Sequence, residues 1–107
     1  MAKYILFIYD EEAKMAGAGP EVFTSIQEGH QKFGAQHGPV LRGGGRLAPS
    51  PSARTVRDGA VSAEPFTPGA TYAIGGYYIV EAESAEQAAE IAKDVPATGG
   101  IEVRELI

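Results

Sequence analysis

Near its start the chain carries Tyr4-Ile5-Leu6-Phe7-Ile8-Tyr9, apolar at odd and even positions alike. As a strand this run presents apolar side chains on both faces, so residues 3–9 are expected to form a central strand with cover on each side. Gly17-Ala18-Gly19-Pro20 breaks the pattern, and Pro20 suits the first turn of a helix, where a missing N–H costs nothing. The spacing then predicts a helix over 20–36. Phe23, Ile26, His30, Phe33 and His37 fall three and four residues apart and so line one face of it. Gly29 and Gly34 interrupt that helix at up to about 1 kcal/mol each relative to alanine, which marks either a close packing contact or a soft helix. Glu11, Glu12 and Lys14, ahead of it, read as a solvated turn.

Residues 40–47 read as a second strand, distorted by Gly43-Gly44-Gly45 into a bulge or bend and ended by Pro49 and Pro51. Asp58-Gly59, flanked by Arg54-Thr55-Val56-Arg57 and Ala60-Val61-Ser62-Ala63, signals a hairpin with a two-residue turn, Val56 facing Val61. Residues 75–80, Gly-Gly-Tyr-Tyr-Ile-Val, are again apolar on both faces and predict the second central strand. Ser84 with Gln87 three residues on has the form of a capping box, and Ala88, Ile91, Ala92 and Val95 give the buried stripe of a short helix stopped by Pro96. Residues 101–106 alternate Ile101 and Val103 with Glu102 and Arg104, the pattern of an edge strand with one wet face. The order strand, helix, strand, inserted hairpin, strand, helix, strand predicts an α+β fold of the ferredoxin-like, split βαβ kind. Two helices cover one face of such a sheet, and the expected cover for the other is a second copy of the chain, making a homodimer.

Length and charge narrow the function classes. With 107 residues there is room for one domain, spanning 1–107. No apolar run approaches the roughly 20 residues of a membrane helix, and the first is too short for a signal peptide, so a cytoplasmic protein without membrane association is expected. The absence of cysteine removes disulfides, thiolate nucleophiles and thiolate metal sites. A net charge of −5 without a basic stripe argues against nucleic acid as a partner.

Several segments, taken in order, resemble the YCII-related family, in particular its DGPF-domain branch of small bacterial proteins: KYILFIYDEE, GHQKF, GGGRLAP, TVRDGAV, EPF, GGYYIVEA, AEQAAEIAKDVPA and IEVREL. The resemblance covers nearly the whole chain. It implies a ferredoxin-like fold that dimerises sheet to sheet into an α+β barrel, with a cleft like that of small isomerases such as muconolactone isomerase. It also implies a catalytic histidine and aspartate, matched here by His30 and Asp10, and for the branch a regulatory context beside alternative sigma factors. The motif Asp-Gly-Pro-Phe that names the branch stands here as Ala63-Glu64-Pro65-Phe66, without its aspartate and with glutamate for glycine.

His30 is the centre of the candidate chemistry. On the apolar stripe it faces the sheet, either as a core histidine satisfied by one hydrogen bond or as a general acid or base near neutral pH, with Asp10 to orient it. It lies ten residues into its helix, about 15 Å along the axis, so the segment from Asp10 to Pro20 must fold over the cleft to bring the two together. His37 lies a further 10.5 Å or about two turns along the axis and cannot share a metal with His30; read as a solvent-exposed helix end, it leaves no metal site expected. Arg42-Gly43-Gly44-Gly45-Arg46 is read as a bulged strand rather than a phosphate cradle, since it opens no helix. Tyr77 and Tyr78 point to opposite faces of a central strand and are candidates to line a ligand cleft, with Tyr9, Phe33, Arg42 and Phe66. The reading that follows is a homodimer that binds a small molecule, or a cofactor-free isomerase or hydrolase using His30 and Asp10. The alternative is a non-catalytic regulatory module that binds a metabolite or a protein partner.

Overall fold

Alternation along the first strand sorts its side chains into two unlike sets. In a computed structural model describing residues Met1–Ile107, β1 (Ala2–Glu11) buries Tyr4, Leu6 and Ile8 beneath helices, while Ile5, Phe7 and Tyr9 lie on the opposite face, only partly covered. It is followed by α1 (Glu12–Ala16), α2 (Pro20–His37), β2 (Leu41–Arg46), the β3–β4 hairpin (Thr55–Arg57 and Ala60–Ser62), β5 (Tyr72–Ala82), α3 (Ala85–Ala92) and β6 (Gly100–Leu106). The four long strands pair antiparallel in the order β2-β5-β1-β6. Both runs expected to be central, in β1 and β5, are central, and β6 is an edge. This is the ferredoxin-like arrangement, with the hairpin inserted between β2 and β5.

One layer of helices covers one face of the sheet. Val80 and Ala82 of β5 join Tyr4, Leu6 and Ile8 under Ala88, Ile91, Ala92 and Val95, the stripe expected for α3. Ser84 caps this helix by accepting from the Gln87 N–H at 3.1 Å, and the Gln87 side chain accepts from the Glu83 N–H at 2.6 Å, one residue earlier than a standard capping box. The molecule measures 39 × 38 × 18 Å, and the short dimension leaves no room for a second layer over Ile5, Phe7, Tyr77 and Ile79.

The longer helix behaves differently. Of its apolar stripe only Phe33 is fully buried, whereas Phe23 is 43% exposed and Ile26 partly exposed. The C-terminal half of α2 sits on the core and the N-terminal half overhangs the sheet. Gly29 is a close contact: a Cβ there would lie 2.6 Å from Pro96 Cγ, whereas one at Gly34 would meet nothing within 4 Å.

Two expectations are corrected. Glu11, Glu12 and Lys14 do not form a solvated turn. Glu11 ends β1, and Glu12 begins the short helix α1, its carboxylate accepting from the Ser50 N–H at 2.8 Å and from the Ser50 hydroxyl. His37 is not a free helix end either. Its Nε2 lies 2.8 Å from Asp94 Oδ2, and its ring packs 4.9 Å from that of Phe33, joining the C-terminus of α2 to the segment after α3. A histidine at a helix C-terminus is also favourably placed against the helix dipole.

Candidate functional site

Where α2 overhangs the sheet, the strands beneath it are glycine. Gly75 and Gly76 of β5 leave bare backbone opposite Phe23, Ile26 and His30, and a cavity of about 510 Å³ lies between them, with the backbone of Gly45 in β2 at its border. Its volume falls within the range of small-molecule sites. Gly75 owes its position to a bulge. Ile8 pairs with Gly76 and Tyr9 with Ile74, so Gly75 is the extra residue, and a Cβ on it would collide with the Asp10 carboxylate. The bulge therefore lets Asp10 turn into the same cavity as His30. The segment after Asp10 does lie over this region, through Met15 of α1.

His30 Nδ1 is 2.7 Å from the hydroxyl of Tyr78, its one hydrogen-bond partner in the chain. Tyr78 in turn packs its ring 4.6 Å from that of Phe33, which fixes the phenol and through it the imidazole. Asp10 makes no hydrogen bond to His30. Its Oδ1 accepts from the Thr98 N–H at 3.1 Å and the Thr98 hydroxyl at 3.3 Å, while the same Thr98 oxygen accepts from the Glu11 N–H at 2.8 Å. Thr98 thus holds one carboxylate oxygen and leaves Oδ2 without a protein partner.

The electrostatics keep the His30–Tyr78 pair uncharged. Burial lowers the His30 pKa below the ordinary 6.5. The Asp10 carboxylate opposes that shift and the Arg46 guanidinium reinforces it. Burial raises Tyr78 above the ordinary phenol value. At neutral pH the pair is a neutral imidazole on a neutral phenol. Whichever way the shared proton lies, His30 Nε2 carries the complementary role: it is an acceptor when Nδ1 donates to the tyrosine and a donor when Nδ1 accepts from it.

The residues singled out from the sequence divide accordingly. His30, Asp10 and Tyr78 border one cavity, and Tyr77 borders it too although its side chain points to the opposite, uncovered face of the strand, beside Gly45. Phe33 supports it from the core, 1% exposed. Tyr9, Arg42 and Phe66 lie elsewhere. Tyr9 donates to Glu102 at 3.1 Å on the uncovered sheet face, and Arg42 pairs with Glu81 at 3.2 Å. Phe66, 67% exposed, lies under the Arg57 guanidinium at 4.4 Å. Sequence reasoning weighed Arg46 only within a phosphate cradle that it set aside for a bulged strand, and it gave Gly75 and Thr98 no site role. Arg46 was within its reach, since alternation along β2 from Gly44, which faces Tyr78, puts Arg46 on the helix side. Thr98 carried no signal, because its role depends on a contact 88 residues away in sequence.

No helix is long and apolar enough to cross a membrane, and no group of three or more histidine, aspartate or glutamate side chains is placed to hold a metal ion. No curated protein matches the chain. The family model of the YCII-related domain matches residues 2–107, essentially the whole chain and so both the His30 cavity and the sheet that floors it, and the chain belongs to the YCII-related domain family.

Proposed function

We propose that the chain is a small-molecule-binding protein that catalyses proton transfer in the cavity under α2, with His30 as acid and base. The observation that carries this reading is the neutral His30, fixed by Tyr78 and sharing a cavity with Asp10. A substrate with an acidic C–H between a carbonyl and a carbon–carbon double bond would lose that proton to Nε2. The C–H electron pair moves to the carbonyl oxygen, and the enolate is reprotonated at a conjugated carbon. The net change is a shifted double bond, with no oxidant or reductant consumed. Asp10 Oδ2 stabilises the imidazolium formed in the middle of the cycle, and Tyr78 holds the ring.

The test is exchange of deuterium from solvent into the acidic position of candidate carbonyl compounds, followed by NMR. His30→Gln keeps hydrogen bonding and removes the titratable proton, so exchange should fall by about 100-fold or more. Unchanged exchange in this variant would refute the assignment.

A homodimer joined through the uncovered sheet face belongs to the same proposal, as does membership of the DGPF branch, of whose naming motif the Ala63-Glu64-Pro65-Phe66 segment keeps only the Pro-Phe pair. A second reading, a regulatory module that binds a protein partner, rests on a separate observation: Val56, Val61 and Phe66 stand 66–68% exposed on and beside the β3–β4 hairpin. It expects no turnover for any compound that binds, and a hairpin that loses solvent exposure with the partner.

A further inference from the structure

The cavity holds one charged donor that nothing in the chain satisfies. Every other arginine has a partner. Arg42 pairs with Glu81, Arg104 lies 3.5 Å from Glu102, Arg54 donates to the carbonyls of Ser52 and Ala53, and Arg57 lies over Phe66. Arg46 forms no ion pair and donates no hydrogen bond, although it borders the His30 cavity together with Asp10. The same Arg46, with Asp10, Met15, Phe23 and Gly75, also borders a second cavity of about 740 Å³, so the two adjoin at this point. Beyond the junction the second cavity is walled by Ala13, Ala16, Leu47, Ala48, Pro49 and Pro51, a largely hydrocarbon surface whose one charged side chain, Glu12, is bound to Ser50. Of the nearby carboxylates, Glu12 is engaged at both oxygens and Asp10 at one. Glu12 accepts twice from Ser50, and Asp10 Oδ1 accepts twice from Thr98.

We infer that the site takes a small organic monocarboxylate with an apolar chain, its carboxylate on Arg46, its functional end toward His30 and Asp10 Oδ2, and its chain in the alanine- and proline-lined annexe. The inference rests on the proposed His30 site and adds the class of ligand. A guanidinium is planar and suited to a bidentate carboxylate, and its attraction is strengthened where the ligand body excludes water. The neutral imidazole adds no second cation and the Asp10 carboxylate disfavours a second anion, so a ligand with one negative charge, held on Arg46, suits the pocket. The annexe rewards chain length. Each buried methylene should tighten binding by about threefold to fourfold until the annexe is filled.

The probes are straight-chain monocarboxylates of increasing length, their methyl esters and matched alkylamines, titrated against the protein by calorimetry. Affinity of the acids should rise with chain length, exceed that of the esters by about tenfold, and weaken with added salt. Arg46→Gln should remove the acid's advantage while leaving ester affinity unchanged; Arg46 is exposed on an edge strand, and the ester binding also reports that the variant is folded. Ala48→Phe should abolish the dependence on chain length and spare short acids. Acids no tighter than esters, amines tighter than acids, an acid affinity indifferent to Arg46→Gln, or no binding across the series would each overturn the inference. These readings involve no turnover. Acid binding intact in His30→Gln with exchange chemistry absent from the wild type would sink the proposed proton transfer and leave the ligand class standing.

Discussion

At the scale of single residues, the depressed His30 pKa has a consequence for stability that can be given a sign. In the unfolded chain the imidazole titrates near 6.5, and in the folded chain it titrates lower because burial disfavours the cation. Below pH 6.5 the unfolded chain therefore binds more protons than the folded one at this residue, and stability falls as pH falls from 6.5 toward the folded pKa. Above 6.5 the residue contributes no pH dependence. Chemical denaturation of His30→Leu should show a flatter profile between pH 6.5 and 5 than the wild type; equal slopes would mean that His30 is not desolvated. The same shift keeps the base form populated, so the acid limb of any exchange rate should lie below pH 6.5. His30 and Asp10 were legible as candidates because one lies on an apolar helical stripe and the other ends an apolar strand. Their true partners were not. Tyr78 was expected only to line a cleft, and Thr98 belongs to a loop whose position no local pattern encodes, although these two residues hold the imidazole and the carboxylate respectively.

At the scale of elements, periodicity identified every long strand and both long helices, because a two-faced apolar run, a capping serine or an Asp-Gly turn acts locally. Asp58 and Gly59 both adopt positive φ, 52° and 79°, and Val56 faces Val61 as the turn chemistry requires. Gly59→Val should destabilise this hairpin, since a β-branched side chain resists positive φ, and hydrogen exchange of the β3–β4 amides would register it while the main sheet stays protected. What the pattern left open was the meaning of glycine inside a helix. The structure gives Gly29 and Gly34 opposite meanings: Gly29→Ala forces a Cβ against Pro96 and should cost about 1–3 kcal/mol, whereas Gly34→Ala adds helix propensity in open space and should gain up to about 1 kcal/mol. Urea melts of the two variants decide it, and shifts of the same sign would deny the contact. The α1 helix was illegible for a related reason. Its five residues are too few for a period, and it is tied down by Glu12 to Ser50, 38 positions along the chain.

At the scale of the whole molecule, the face of the sheet that the helices leave uncovered is the one the proposed dimer would bury. Ile5 and Phe7 of β1 and Tyr77 and Ile79 of β5 occupy adjacent central strands, so their side chains form one apolar patch rather than scattered exposures. Around it lie Lys3 and the ion pairs Arg42–Glu81 and Arg104–Glu102, charges of both signs at the rim. A two-fold axis through such a patch would place it against itself, apolar on apolar with charges of both signs at the rim, the requirement for an isologous interface. Sheets stacked in this way pack about 10 Å apart with side chains interdigitated, and a charge at the centre of the patch has no room to reach water. Phe7→Glu should therefore convert a dimer to a monomer, and sedimentation equilibrium at micromolar concentration should show the wild type at twice the chain mass and the variant at the chain mass. A wild type that sediments as a monomer would overturn the dimer. The His30 cavity lies on the other side of the sheet, under α2, so acid binding should survive in the Phe7→Glu monomer. Loss of binding there would mean that the partner helps to build the site.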